Sequence, residues 1–448
     1  WNISDDGLTY TFKLRNNSHW AMFSGHKAVL GENYEDTFDI TVKAEDFKFG
    51  IERTLSEQTG SADAPLFSAV KSISTPDDFT IVFNLSYADD NFLYALTNPG
   101  AMPCDEEFFN LTNGKYGLDA KYLLCNGPFH VSKWTEKTSV KLAKNNEYNG
   151  ESSVSPSSVT FYINNDDSEV ADKMNSVTYD VAFLSSSQFS SIENKKDLNS
   201  VAVQNVTYSF IFNQNDNNYR NKNMRLAFCR SCDTSSLFDS QSDISKADGI
   251  VPPSCKIGGE DYRNGNAAEL LSYDETLAKK NFNDALLDLG SSSVETTILC
   301  TEQYEPFVKQ MVQKLQKTLG VKFVSTVKVV SESDLEAAVN DGNYSVAFYP
   351  FKAKSSFAGE IIEGFDQNNI FGYESDVLSQ KIRNIKNNSG SLEGERSAVA
   401  DAENYLVSEA VIMPVFYENS YFVTSKKTSG IYFYSSADNV CFINAKKS

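Results

Sequence analysis

Residues 297–349 read T-I-L-C-T-E-Q-Y-E-P-F-V-K-Q-M-V-Q-K-L-Q-K-T-L-G-V-K-F-V-S-T-V-K-V-V-S-E-S-D-L-E-A-A-V-N-D-G-N-Y-S-V-A-F-Y. A short apolar strand at Thr297–Cys300 gives way to helical spacing, with Phe307, Val308, Met311, Val312, Leu315 and Leu319 on one face and Gly320 as the stop. Strand 321–330, a helix from Ser333 to Val339 and strand 344–349 follow. Upstream, Asp274 caps a helix with Ala278, Phe282, Ala285 and Leu289 on one face, ended by Gly290. Tyr208–Phe212 reads as a buried strand. Strands and helices of these lengths in alternation predict an α/β domain with a mainly parallel sheet covered on both faces, starting near residue 207.

The N-terminal part has a different texture. Leu8, Tyr10, Phe12 and Leu14 alternate with Thr9, Thr11, Lys13 and Arg15, as in a half-buried strand. Ala44, Phe47, Ile51 and Leu55 follow a helical period, with Glu45 and Asp46 in the first turn. Phe79, Ile81, Phe83 and Leu85 alternate again after Pro76-Asp77-Asp78, and further strands are expected at 138–143, 159–163 and 180–184. At 448 residues the chain exceeds what one core holds, so at least two domains are expected.

Composition excludes several classes. Apolar residues are 41% and charged residues 22%, a globular balance, and no run approaches the ~18 apolar residues of a membrane span. A net charge of −20 repels nucleic acid and anionic lipid. Seven cysteines are too few for a disulfide scaffold; Cys104 and Cys125 flank a 20-residue stretch that a disulfide would close, and Cys229-x-x-Cys232 has no second pair at zinc spacing. His19, His26 and His130 are the only histidines and are dispersed, leaving no material for a metal or Ser-His site. There is no G-x-S-x-G, H-E-x-x-H or glycine-rich phosphate loop. No catalytic residue, metal or cofactor is expected, although carboxylates are numerous enough to keep a glycoside-type hydrolase as a distant alternative.

Trp1–Arg15, Val42–Arg53, Cys125–Trp134 (C-N-G-P-F-H-V-S-K-W) with Lys144-Asn145 and Tyr148, Tyr208–Asn213, Val251-Pro252-Pro253 and Ile412–Val415 occur in an ordered series. Together they resemble the large oligopeptide- and nickel-type solute-binding proteins of ABC importers. The resemblance implies a two-lobed periplasmic-binding-protein-like α/β fold of type II, its lobes joined by two crossing strands. Lobe 1 would be 1–206, with an inserted subdomain at about 40–125; lobe 2 would be 207–418, and 419–448 would return to lobe 1. The crossings would fall near 205–209 and 416–422. The family has a further strand–helix segment before the equivalent of Trp1, which is not in this sequence.

The implied function is extracytoplasmic capture of a peptide or other small organic solute and its delivery to ABC permease subunits. The implied protein is a monomer, a lipoprotein anchored through an N-terminal segment outside this chain. A ligand-sensing receptor on the same fold stays open as an alternative. By the resemblance, Tyr344–Phe357 is the cleft loop, in which an aromatic is followed three positions later by an Asp that pairs with a peptide's α-ammonium. Here these are Phe351 and Lys354, so the charge is reversed and free N-termini are not expected to anchor there. Tyr349, Phe351, Lys354, Phe357, Asn368 and Tyr373 are the candidate ligand-binding residues; each aromatic also fits the lobe-2 core, and Lys354 also fits a solvated loop.

Overall fold

In the computed structural model the described residues are 1–448 except 62, 90–91, 151, 164–166, 235–236, 239–242, 354–356, 367–368, 389–390 and 435–438. Two compact units result, one formed by Trp1–Asp166 with Thr428–Ile431 and Cys441–Ser448, the other by Asp167–Lys427 with Tyr432–Val440.

In the first unit the N-terminal alternation becomes a four-stranded sheet of β1 (Asn2–Ile3), β2 (Thr9–Lys13), β3 (Val70–Asp77) and β4 (Thr80–Leu85), in the order β1-β2-β4-β3. Its register sets Tyr10 opposite Phe83 and Phe12 opposite Ile81. Tyr10, Ile81, Phe83 and Leu85 are buried together with Ala44 and Ile51 of the helix Ala44–Leu55. That helix begins where Asp46 Oδ2 accepts the Lys43 N–H at 2.8 Å. A second sheet holds β5 (Phe129–Thr135), β6 (Ser139–Lys144) and β7 (Ser158–Tyr162). Asn126-Gly127-Pro128 leads into β5, and Asn145 donates from its N–H to the Pro128 carbonyl and from Nδ2 to the Gly127 carbonyl. All seven cysteines are free thiols, so Cys104 and Cys125 are not joined.

The second unit contains two sheets. Three strands, β8 (Val181–Ser185), β9 (Leu198–Val203) and, later in the chain, Ser420–Ser425, form an antiparallel sheet with the last strand in the middle. The other sheet has six strands: β10 (Val206–Phe212), β11 (Ile244–Lys246), β14 (Val294–Cys300), β15 (Phe323–Val329), β16 (Val346–Lys352) and β17 (Ile412–Glu418). Between β11 and β14 lies a small hairpin, β12 (Lys256–Ile257) and β13 (Glu260–Asp261); Ser420–Ser425 is β18. The order is β11-β17-β10-β16-β14-β15.

This sheet is mixed, which corrects the expectation of a mainly parallel one. β14 pairs in parallel with β15 and β16, as the β/α alternation of 294–349 dictates. β10 is antiparallel to both β16 and β17, and β11 is antiparallel to β17. The cause is the path of the chain. It enters this sheet through β9, Gln204, Asn205 and β10, and leaves it through β17, Asn419 and β18. A chain that arrives on one strand and departs on its neighbour at the same end must run the two in opposite directions.

Both faces are covered, as expected. Phe210, Phe212 and Phe348 pack on one side with Phe228, Phe282, Phe307 and Phe323; Ile211, Leu299, Ala347 and Ile412 pack on the other with Leu378, Ile382 and Leu406. The Phe210 ring lies 4.9 Å from Phe348 and 5.3 Å from Phe228.

Into the second face is set a buried ion pair. Arg263 and Glu403 side chains are 8% and 1% exposed and form a salt bridge. Glu403 Oε1 also accepts the N–H groups of Ile250 (2.7 Å) and Val251 (2.9 Å), and Oε2 accepts Tyr262 OH (3.0 Å). Arg263 Nε donates to the Val251 carbonyl at 2.7 Å. One carboxylate thereby pins the Val251-Pro252-Pro253 turn to the helix Leu392–Ser408.

Two outcomes follow. Glu403→Ala strands the guanidinium without its carboxylate and lowers stability by about 3–5 kcal/mol, read as an earlier urea midpoint; replacing Arg263 and Glu403 together by Met and Leu recovers much of that loss. In the first unit His26 is buried, with ring centroids 4.4 Å from Phe23 and 5.4 Å from Phe108. Burial pushes its pKa down to about 4 against the opposing Leu123 carbonyl, with His130 adding to the depression. The fold favours the neutral ring, so this contribution is present above pH 6.5 and is lost as pH falls towards 4. Thermal unfolding between pH 7 and 4 should show a smaller loss in His26→Gln than in the native protein.

Candidate functional site

The expected cleft loop begins on β16, whose side chains alternate between the two faces. Val346 and Phe348 point into the first core, while Ala347, Tyr349 and Phe351 belong with the second. Phe351 is half-buried and stacks on Phe365 at 5.7 Å and 19°, with Phe371 5.8 Å away and Tyr349 edge-on at 5.7 Å. Phe357 and Tyr373 are also half-buried and pack against this same core. Four of the six residues singled out in the sequence thus share one core cluster; Lys354 and Asn368 lie outside the described residues.

The loop carrying Tyr373 is organised by Asn369. Its Nδ2 donates to the carbonyls of Asp366 (2.8 Å) and Tyr373 (2.7 Å), and its Oδ1 accepts the N–H groups of Phe371 (3.0 Å) and Tyr373 (3.3 Å). Gly372 has φ +63, and a Cβ there would meet the Asn215 amide at 2.5 Å. Tyr373 OH donates to Tyr405 OH at 3.3 Å, and burial, followed by that hydrogen bond, raises its pKa well above the usual phenol range. Opposite Phe351 and Tyr349 on β10 stand Thr207 and Ser209. Their hydroxyls are buried and have no hydrogen-bond partner among the described residues.

A cleft of about 470 Å³ lies next to the two passages of chain between the sheets. Its wall includes Phe183, Tyr304, Phe307 and Phe416, and its charged lining residues are Asp243 and Glu418. Tyr304 ends the turn before the helix Glu305–Leu319, and its OH donates to Glu418 Oε1 at 3.0 Å. Gln303 Nε2 donates to the same hydroxyl at 3.2 Å, and the Tyr208 ring lies 4.4 Å from Tyr304. Burial first, then the Glu418 charge, pushes the Tyr208 phenol up; burial, Tyr208 and Glu418 do the same for Tyr304. Both phenols therefore stay protonated, as donors.

The passages themselves are tied side by side. Gln204 Nε2 donates to Asn419 Oδ1 (2.7 Å) and to Ser245 Oγ (2.9 Å), and Ser245 Oγ donates to Asn419 Oδ1 (3.1 Å). The Asn419 N–H reaches the Asp243 carbonyl at 2.7 Å, and Asp243 Oδ1 accepts the Ser187 N–H. Sequence reasoning missed Tyr208, Asp243, Tyr304, Glu418 and this amide cluster. The available signal was an acid, Glu418, at the end of the apolar run 411–417.

The sequence profile of the bacterial extracellular solute-binding proteins, family 5 (middle), matches residues 1–371. The chain belongs to this family. It is 23% identical over 454 residues to the dipeptide-binding protein DppE of Bacillus subtilis strain 168, covering 96% of this chain and 80% of that protein. Its fold is similar to that of the substrate-binding domain of an oligopeptide ABC transporter from Bacillus anthracis str. Ames, with a TM-score of 0.77 at 19% identity over 100% of this chain and 89% of the other. It is also similar to the PBP AgaA in complex with agropinic acid from A. tumefacien R10, with a TM-score of 0.75 at 16% identity over 100% and 88%. The family resemblance read from the sequence is the right one, and the fold is the mixed α/β, two-lobed fold of family 5. Among the described residues no helix is long and apolar enough to cross a membrane, and no group of three or more His, Cys, Asp or Glu side chains is placed to hold a metal ion.

Asn369→Ala removes the side chain that closes the 365–373 loop. Amide hydrogen exchange at Phe371 and Tyr373 should accelerate at least tenfold, with little change at β16.

Proposed function

We propose that this chain captures a peptide or peptide-like solute between two lobes and hands it to the permease subunits of an ABC importer. The observation that carries the proposal is the pair of tied chain passages, at Gln204–Asn205 and at Asn419, beside an aromatic cleft. Two short adjacent connections joined through their side-chain amides form a hinge: backbone rotation at these few residues swings one sheet relative to the other while both cores stay intact. Ligand that touches both sides only when they are closed shifts the population towards closure.

On this reading lobe 1 is 1–206 with 419–448 and lobe 2 is 207–418, so the division falls at the hinge. Phe351, with Tyr349, Phe357 and Tyr373, supplies an apolar wall on lobe 2, and Lys354 and Asn368 complete the set of proposed ligand-binding residues. The protein acts as an extracytoplasmic monomer held by a lipid anchor, binds without covalent chemistry and needs no cofactor. Family relatives named for dipeptides and oligopeptides support a peptide; AgaA, with agropinic acid on the same fold, supports extending the ligand class to peptide-like solutes.

Native mass spectrometry of the purified chain, followed by calorimetry with a peptide panel, tests this. A peptide-sized ligand should be retained, and Phe351→Ala should weaken its binding about ten- to a hundredfold, the roughly 1.5–3 kcal/mol of a buried phenyl contact. Failure of every peptide to bind, with no small solute retained, overturns the proposal.

A further inference from the structure

We infer that the tip of the β5–β6 hairpin, with the end of β7 beside it, is a contact site for an anionic lipid surface. The hairpin lies within the first unit, so this inference stands apart from the solute reading above.

The register of the sheet sorts the side chains. Trp134, Val140 and Phe161 stand directly opposite one another across β5, β6 and β7 and so share a face. Ile163, two residues beyond Phe161, donates its N–H to the Thr138 carbonyl at 2.9 Å, which brings it level with the turn. Trp134, Phe161 and Ile163 are 42%, 44% and 48% exposed, and none of them belongs to a core cluster among the described residues. Phe161 meets the Phe442 ring edge-on at 5.6 Å and still keeps that exposure.

The other face carries the charge. Lys133 stands directly across from Lys141, and Lys137 occupies the turn, where the Thr138 N–H returns to the Thr135 carbonyl at 3.0 Å. All three lysines are exposed, and none is in an ion pair among the described residues. Three lysines against the one acid, Glu136, leave residues 133–141 at +2 in a chain whose total is −20. Like charges directly opposite each other cost a sheet stability. No described acid offsets the Lys133–Lys141 pair, which favours an anionic partner from outside the chain.

Tryptophan rings favour the polar boundary of a bilayer, and lysines are drawn to an anionic leaflet. The division between faces selects lipid over protein. A protein docked on this sheet covers one face, either the rings or the ammonium groups. A headgroup layer surrounds a tip standing in it and meets both. That layer is about 5–8 Å deep on each side of a bilayer. Trp134 and Lys133 lie two and three residues before Glu136, roughly 7–10 Å back at about 3.3 Å per residue, so a tip standing in the layer to its full depth brings both against it. The total charge does not oppose this contact, because exposed charges more than about 8 Å apart are largely screened at physiological ionic strength. The approaching headgroups are governed by the tip.

The test mixes the full chain with phosphatidylcholine vesicles and with vesicles that also contain phosphatidylglycerol, and reads the bound fraction by co-sedimentation. The native protein should bind the anionic vesicles at least tenfold more tightly than the neutral ones, and high salt should remove the difference. Lys141→Glu sets an acid opposite Lys133 and takes the tip from +2 to neutral. It should lower binding at least tenfold without lowering the melting temperature. Trp134→Gln should weaken binding too, with its salt dependence unchanged. Equal binding to both kinds of vesicle, or binding to neither, overturns the inference. Native-like binding by Lys141→Glu overturns the role of the hairpin; if that variant melts early, native-like binding by Trp134→Gln does so in its place. Self-association of the native chain without lipid, abolished in Lys141→Glu, would assign the tip to a second copy and overturn the lipid site.

Discussion

The arrangement depends on a constraint of direction. β10 and β17 must be neighbours and must run oppositely, because the chain enters the six-stranded sheet on one and leaves on the other at the same end. Everything near the cleft follows. The two exits are close enough for Gln204 and Asn419 to share a hydrogen bond, and the segment 243–246 lies alongside them as a third tie. Glu418 is brought to Tyr304 because β17 ends there. Even the bulge between β10 and β17, where the register shifts at Tyr208/Ser209, fits this role. It sets Ser209 opposite Pro414, a residue with no N–H to give to the ladder.

Rigidity is distributed unevenly around this point. The second face of the sheet is fixed by the Arg263–Glu403 pair, whose carboxylate oxygens are satisfied by backbone N–H groups, a phenol and a guanidinium. That site is closed and internally neutral, so it holds the 248–252 turn in place. The bonds among Gln204, Ser245 and Asn419 are neutral side-chain bonds at half-buried residues, individually worth about 1 kcal/mol net. On the proposed reading, a firmly fixed face beside weak, replaceable bonds favours bending at 204–205 and 419.

Much of the fold was legible in the sequence because local periodicity encodes it. Asp274 does cap its helix, accepting the Leu277 N–H at 2.9 Å, and Gly290 does end it with φ +63. The strands at 8–15, 79–85 and 207–212 fall where alternation or continuous apolar character put them. Strand direction was not legible, since an apolar run such as Phe210–Phe212 reads the same in a parallel or antiparallel neighbour. The aromatic residues near the cleft loop were legible only as a set on one core; whether a half-buried ring such as Phe351 faces ligand or protein depends on packing across 365–373. The Glu418–Tyr304 pair joins residues 114 apart and belongs to no motif. It becomes visible only once the strands are in place.

The topology has a consequence for the birth of the molecule. In the three-stranded sheet the middle strand, Ser420–Ser425, is the last of the three to be synthesised, and both outer strands hydrogen-bond to it rather than to each other. The bond between Gln204 and Asn419 spans 215 residues. Until Ser420–Ser425 has been synthesised, Val181–Ser185 and Leu198–Val203 are two strand edges without their template. Closing so long a loop is slow, and its entropy cost is met before the pairing returns anything. This sheet therefore closes late, and its two waiting edges are open to wrong pairing while the first unit's four- and three-stranded sheets, built within residues 2–162, have their strands already made.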